Sequence, residues 1–262
     1  MLKRRLIPVL FLKNGLMVRS ESFNRHQYIG NPILHVQRMM QWNVDELIVI
    51  DIGDTKKDSI LTRDDYKQKP VDSLEKFISM IAIECGLPLT YGGNIKTYEE
   101  ALLRIRHGAD KIIFNQALFN DKQMIDKCVK SLGSQAVIAS VDYKIEGSKR
   151  MVYINQGKVS INIELEDWVN EIQKLSVGEI FINSSDRDGK ANGYDIETIN
   201  AVSKISNIPI IACGGAGHQS HFLKAFEMTS ASAIAAGNIF HFKENAYPIA
   251  KNFLKSKLNY IR

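Results

Sequence analysis

Residues 83–94 read IECGLPLTYGGN, and residues 205–216 read ISNIPIIACGGA. Each segment is an apolar run that ends in two glycines, and the two glycine pairs lie 122 positions apart. The runs ADKIIFNQA (109–117) and ASAIAAGNI (231–239) follow with the same offset. A single Gly-Gly pair is weak evidence, but two pairs in register, each followed by a similar run, indicate an internal duplication.

Short β-rich apolar runs recur along the whole chain, and the segments between them, such as 71–82 and 165–175, have helical spacing. Apolar runs without alternation are typical of strands that a parallel sheet buries on both faces. Eight such units in this length favour a closed (β/α)8 TIM barrel over an open doubly wound sheet. The eight runs are LIPVLFL (6–12), ELIVIDI (46–52), LPLTYGG (87–93), KIIFNQA (111–117), AVIASVD (136–142), EIFINSS (179–185), IPIIACGG (208–215) and SAIAAGN (232–238).

The duplication predicts one barrel over residues 1–262, built from half-barrels of roughly 1–132 and 133–262. In this alignment DELIVID (45–51) corresponds to VGEIFIN (177–183). Two segments interrupt the alternation. Residues 148–163 are predicted to form a hairpin inserted after the fifth strand, and residues 14–32 a long irregular loop after the first.

Composition excludes several classes of function. The net charge of +5 is scattered, with no basic run interleaved with aromatic residues, so nucleic acid is not expected as a partner, whereas an anionic small molecule is. Cys85, Cys128 and Cys213 have neither metal-ligand nor disulfide-framework spacing, which fits a reducing cytoplasm. No apolar run approaches the ~20 residues that cross a bilayer, and residues 1–12 lack a signal-peptide cleavage site.

The paired glycines stand where a barrel builds its active site, at the carboxyl ends of strands. Glycine there allows backbone N–H groups to approach a ligand, and the following helix starts favour anions. Each half therefore offers a phosphate cradle, and two cradles across one mouth imply a substrate with phosphate at both ends. The alternative is that the glycines only form tight turns. The predicted cradle residues are Gly92, Gly93 and Asn115 in the first half and Gly214, Gly215, Gly237 and Asn238 in the second.

The two halves differ at one strand end. RRLIPVLFLKNG (4–15) and SQAVIASVDYKIEG (134–147) correspond at an offset of 131, which aligns Phe11 with Asp142. Two other acids each have two interpretations. Asp188 either contacts substrate or Asp142, or forms a turn with Gly189, and Asp51 either faces the mouth or caps a turn. His218 and His221 lack further ligands, so no metal is expected.

Four segments resemble the cyclase subunit of imidazole glycerol phosphate synthase: residues 133–142, 178–195, 209–226 and 239–244. The resemblance implies a half-symmetric (β/α)8 barrel that takes ammonia from a glutaminase subunit docked at its bottom. Ammonia attacks a bisphosphorylated ribulosyl-formimino nucleotide, giving imidazole glycerol phosphate and an aminoimidazole carboxamide ribotide. No cofactor or metal takes part in that reaction.

In that family two aspartates, which end strands one and five, perform the acid–base steps. The strand-five residue matches Asp142, but the strand-one residue falls on Phe11, and a phenyl ring cannot carry a proton. Asp51, Asn183, Asp188 and Gly189 complete the predicted substrate site, and for Asp188 the resemblance favours the functional interpretation. Further departures from the family pattern at the same mouth are Arg19, Asn94, Gln116, Asn183 and Gly237.

The resemblance assigns an ammonia gate to the strand starts. Its four charged members match Arg5, Glu46, Lys111 and Glu179 without a change of type, and Asp110 matches a glutaminase contact. The alternative is that these alternating charges only stabilise the barrel, which is the usual role of that face.

The intact gate and the missing acid predict a barrel that receives ammonia but no longer cyclises efficiently. This pattern is similar to the branch of the family that serves acetamidino modification of bacterial surface sugars, where a separate amidotransferase uses the ammonia. Three alternatives stay open: an ordinary histidine-biosynthesis cyclase with a substitute base, a non-catalytic conduit and scaffold, and the related sugar-phosphate isomerase barrel.

Overall fold

A computed structural model of the chain describes residues 3–23, 25–53 and 73–262. Eight parallel strands in it close into a barrel, because the last strand pairs with the first and the remaining neighbours pair in chain order. Helices lie between most consecutive barrel strands, so the predicted (β/α)8 fold is confirmed. The strands are β1 Arg5–Lys13, β2 Leu16–Glu21, β3 Arg25–Gly30, β4 Leu47–Asp51, β5 Leu89–Gly92, β6 Lys111–Phe114, β7 Val137–Glu146, β8 Lys149–Ile154, β9 Val159–Glu164, β10 Glu179–Ser184, β11 Ile210–Cys213 and β12 Ala233–Ala236.

The helices occupy the segments with helical spacing. The 71–82 prediction corresponds to a helix that begins at Leu74 after its N-cap Ser73, while Val71 lies outside the described residues. The 165–175 prediction corresponds to a helix that ends at Gln173. The described helices are α1 Pro32–Gln41, α2 Leu74–Glu84, α3 Tyr98–Arg106, α4 Gln116–Asn120, α5 Lys122–Leu132, α6 Leu165–Gln173, α7 Ile196–Ile205, α8 Gln219–Met228, α9 Ile239–Phe242 and α10 Ala246–Lys257.

Apolar side chains fill both faces of the strands. The larger core lies between the strands and the surrounding helices, while a smaller cluster fills the barrel interior. Alternate residues of β1 supply the two layers, with Leu6, Leu10 and Leu12 on the outside and Ile7 and Val9 inside. The other interior residues include Ile48, Ile113, Ile138, Phe181, Ile211, Ala233 and Ala235.

Hairpins follow the first strand of each half. The predicted hairpin at 148–163 is confirmed, since β8 and β9 continue antiparallel from β7. The predicted irregular loop at 14–32 is wrong in the described residues, because β2 and β3 form an equivalent hairpin on β1. Asn14 and Gly15 adopt positive φ and turn the chain between β1 and β2. Only the second hairpin contains the β-rich alternation that reveals a strand in sequence.

The glycine repeat is shifted by one residue from the sequence alignment. β4 pairs Ile50 with Gly92, whereas β10 pairs Asn183 with Cys213. Gly93 and Gly214 are therefore equivalent, with φ of 100° and 102°. Strand register therefore relates these two segments by one residue less than the offset of 122 that aligns the glycine pairs in sequence. With this register, Asn94 is the counterpart of Gly215. Gly92 faces inward, where a Cβ would lie 2.3 Å from Ile113 Cγ2.

The alignment of 45–51 with 177–183 is also shifted by one. Phe11 pairs with Ile50 and Asp142 pairs with Asn183, so Ile50 is the counterpart of Asn183. Asp51 consequently corresponds to Ser184 and follows Leu47 and Val49 on the outer face of β4. A one-residue shift moves every side chain of a strand to its other face. The expectation that Asp51 faces the mouth is therefore wrong.

Candidate active site

Asp142 stands at the carboxyl end of β7, buried between two amides from neighbouring strands. Asn115 Nδ2 donates to Asp142 Oδ2 at 3.1 Å, and Asn183 Nδ2 donates to Asp142 Oδ1 at 3.3 Å. Asn115 also donates to Ser140 O, which fixes its amide plane. No Lys, Arg or His within the described residues forms an ion pair with Asp142.

Burial raises the pKa of the Asp142 carboxyl from its ordinary value of 3.8 to about 7. The negative charge of Asp188 adds to this effect, while the amides of Asn183 and Asn115 oppose it by stabilising the carboxylate. A carboxyl with a pKa near neutrality can both donate and accept a proton under physiological conditions. The structure therefore gives Asp142 the properties of a general acid–base group.

We expect Asp142→Asn to stabilise the protein relative to wild type as the pH rises. Native Asp142 binds its proton more tightly than the unfolded chain does, so its contribution to stability is present at low pH and is lost as the pH rises through its folded pKa. Between about pH 5 and about pH 8 the free energy of unfolding of the variant should gain about 2–3 kcal/mol on wild type. Urea unfolding at several pH values measures this difference.

Asp126→Asn is the matched control, because Asp126 is an exposed carboxylate on α5. Its charge stays in water in both states, so this variant should follow the wild-type pH profile. An Asp142→Asn profile parallel to wild type would contradict a buried, neutralised Asp142.

Phe11 occupies the position equivalent to Asp142, and its surroundings are apolar where those of Asp142 are polar. The counterparts of Asn183 and Asn115 are Ile50 and Gly237, by strand register. The Phe11 ring lies over Gly237, where an added Cβ would be 3.4 Å from Phe11 Cε2. Phe11 therefore lacks counterparts of both hydrogen-bond donors that surround Asp142.

A pocket opens at the carboxyl ends of β11 and β12. Phe11 and Cys213 line it, together with the loop residues that follow both strands, and Asp188 and Gly189 close it from the loop after β10. All four residues of the predicted second-half phosphate cradle line this pocket: Gly214, Gly215, Gly237 and Asn238. The structure thus brings these residues together around one cavity.

Asp188 and Asn238 hold the first hairpin over this pocket. Asp188 Oδ2 accepts hydrogen bonds from Ser20 Oγ at 2.7 Å and from Phe23 N at 3.2 Å. Asn238 Nδ2 donates to Ser20 O at 2.6 Å. A Cβ on Gly189 would lie 2.6 Å from the same carbonyl. Asp188 therefore anchors the turn between β2 and β3, a role that neither sequence interpretation included.

The first-half loop is built differently. Asn94, at positive φ, donates from Nδ2 to Gly53 O at 2.8 Å. Asp51 accepts from Gly53 N at 2.8 Å, and burial raises the pKa of its carboxyl. Behind this loop, buried Arg104 donates to Gly93 O at 3.0 Å. The sequence analysis missed Arg104, whose only signal was an arginine on an otherwise apolar helix face.

The four residues predicted as an ammonia gate form a closed ring at the bottom of the barrel. Arg5 bridges Glu46 at 2.6 Å and also pairs with Glu179. Lys111 bridges Glu179 at 2.7 Å and Glu46 at 3.4 Å. Burial raises the pKa of Glu179, but the charges of Arg5 and Lys111 outweigh it and lower the pKa overall. Directly above the ring lies the apolar interior cluster.

Comparison with known proteins decides the family. The family model described as histidine biosynthesis protein matches residues 5–246. The chain belongs to this family. Imidazole glycerol phosphate synthase subunit HisF of Hydrogenobaculum sp. (strain Y04AAS1) is 35% identical over 263 residues, which cover both chains completely. The HisF subunits of Clostridium botulinum (strain Kyoto / Type A2) and Streptococcus mutans serotype c are 36% and 33% identical, over 98% and 97% of each chain.

Membership of the histidine biosynthesis protein family confirms the resemblance found in the motifs. None of the helices in the described ranges is long and apolar enough to cross a membrane. His218 and His221 flank the start of α8, where each uses its Nδ1 locally: His218 accepts from Ser220 N and His221 from Gly217 N.

Proposed function

We propose that this chain is the cyclase-type subunit of an imidazole glycerol phosphate synthase-like glutamine amidotransferase complex, and that it passes ammonia on without cyclising efficiently. The observation that carries the proposal is the contrast between the two ends of the barrel. The ring at the bottom is complete, whereas the acid at the top is replaced by Phe11 in an apolar setting.

The proposed ammonia route runs along the barrel axis from the glutaminase at the N-terminal face. The route starts at the ring formed by Arg5, Glu46, Lys111 and Glu179. The two positive and two negative charges balance. Opening the ring therefore exchanges ion pairs and does not leave a lone buried charge. The apolar interior above it favours neutral ammonia over ammonium, because a charge is costly to transfer into an apolar environment.

The proposed ligand of the mouth is a phosphorylated small molecule. The pocket with Gly214, Gly215 and Asn238 along its wall supports a phosphate there, because glycine lets backbone N–H groups come close to an anion. Asp142 can donate or accept a proton, but Phe11, at the equivalent position in the first half, can do neither. Cyclisation needs protons moved at more than one step, so we infer that a separate amidotransferase, as in acetamidino modification of surface-polysaccharide sugars, receives the ammonia.

A second candidate is an ordinary histidine-biosynthesis cyclase. Identity of about 35% over 98–100% of the length of HisF subunits favours it. It requires another group to replace the strand-one acid.

We expect the purified chain, supplied with an ammonium salt and the ribulosyl bisphosphate substrate, to form imidazole glycerol phosphate about 10²–10⁴-fold more slowly than a family member with both aspartates. The missing proton carrier is the reason. Quantifying the product over time measures the rate. Asp142→Asn serves as the control that reports any residual acid–base contribution. Turnover comparable to that of an intact pair would reject loss of cyclisation and favour the second candidate.

A further inference from the structure

Three basic side chains lie near one another at the rim of the mouth. Lys13 ends β1, His26 lies on β3, and Lys158 lies in the turn between β8 and β9. Lys13 Nζ is 3.5 Å from His26 Nδ1. His26 Nε2 is buried and has no hydrogen-bond partner. None of the three lines the pocket beside Gly214 and Gly215.

The turn that carries Lys158 is held firmly at this place. Gln156 Nε2 donates to Ile52 O at 3.0 Å, and Lys144 Nζ donates to Gly157 O at 2.5 Å. A Cβ on Gly157 would lie 3.5 Å from the ring of Phe23, at the tip of the other hairpin. The two hairpins therefore meet above the mouth, and the basic groups come from both sides of this junction.

No described carboxylate neutralises the basic cluster of Lys13, His26 and Lys158. Neither Lys13 nor Lys158 forms an ion pair with a described carboxylate. Glu21 lies opposite Arg25 in the strand register of the first hairpin, and it forms no ion pair with either lysine. Burial lowers the pKa of His26, and the charges of Lys13 and Lys158 lower it further. Lys13 Nζ can only donate, so His26 Nδ1 accepts from it, and the neutral ring keeps Nε2–H as a donor. The two lysine charges repel each other, and a bound anion would offset that repulsion.

We propose that Lys13, His26 and Lys158 form an anion site for a phosphoryl group of a small phosphorylated ligand. A phosphoryl group carries nearly two negative charges and three acceptor oxygens, which match three donors from two hairpins and the end of β1. A carboxylate offers one charge and two coplanar oxygens. Because the ligand contacts both hairpins, its binding would hold them together over the mouth. The site is independent of the proposed function, since it does not require cyclisation or ammonia.

Titration of the isotopically labelled protein with inorganic phosphate tests this site through the imidazole NMR signal of His26, assigned by its loss in His26→Gln. We expect a saturable shift, and a higher pKa for His26 with phosphate bound, because the anion stabilises the imidazolium. Acetate and chloride at the same ionic strength should leave the signal unchanged. A non-saturable shift, or an equal response to acetate, would overturn the assignment.

Variants decide whether the cluster itself binds the anion. Lys158→Gln should weaken phosphate binding by about tenfold or more, since it removes a charge-assisted hydrogen bond. Lys204→Gln, which removes an exposed charge on α7, should bind phosphate as wild type does. Circular dichroism confirms that both variants are folded. If Lys158→Gln binds as tightly as Lys204→Gln, the rim cluster is not an anion site.

Discussion

Phe11→Asp by itself should destabilise the protein by at least about 3 kcal/mol and leave cyclisation slow. The new carboxyl would be buried beside Ile50 and Gly237, neither of which offers a side-chain donor. Its pKa would rise above that of Asp142, which has two amides. Urea unfolding measures the loss of stability, and product formation with ammonium salt measures the rate.

The second half of the barrel supplies the design that should succeed. Phe11→Asp combined with Ile50→Asn and Gly237→Asn reproduces the surroundings of Asp142 at the equivalent position. Gly237 has a φ outside the left-handed region, and removal of the Phe11 ring vacates part of the space beside it. Val9 O remains 3.2 Å from an added Cβ and must shift by a few tenths of an ångström. We expect the triple variant to cyclise about 10²-fold faster than wild type. The double variant Ile50→Asn, Gly237→Asn is the control without the acid. A folded triple variant with no gain would show that the missing acid does not limit the reaction.

Gly93→Ala should prevent the barrel from folding stably, with a loss of at least about 4 kcal/mol. Gly93 has a φ of 100°, and a Cβ there would lie 1.9 Å from the carbonyl oxygen of Asp51. Neither atom can move away, because Asp51 O is a backbone atom and the position of the Cβ is fixed by the backbone of residue 93, both at the ends of adjacent strands. Soluble yield and urea unfolding measure the effect.

Gly147→Ala separates the collision from the backbone preference. Gly147 has a φ of 62°, in the turn between β7 and β8, and a Cβ there would meet nothing within 4 Å. Its loss should be only about 1–2 kcal/mol, the cost of left-handed backbone for alanine. If the two variants lost equal stability, close approach to Asp51 would not be what requires glycine at position 93.

Much of the fold and part of the site follow from sequence patterns. The eight apolar runs predicted the barrel, and the offset of 131 between strands one and five correctly aligned Phe11 with Asp142. The offset of 122 for the runs at 109–117 and 231–239 also agrees with strand register.

The sequence alone predicted a (β/α)8 barrel with an internal repeat, and one acid where the repeat would place two. Only the tertiary structure decided which residues surround each of those positions. Strands buried on both faces are apolar at every position, so their sequence does not reveal which side chains point inward. Barrel closure sets the register between neighbouring strands, and it therefore set Asn115 and Asn183 around Asp142 and Gly237 and Ile50 around Phe11.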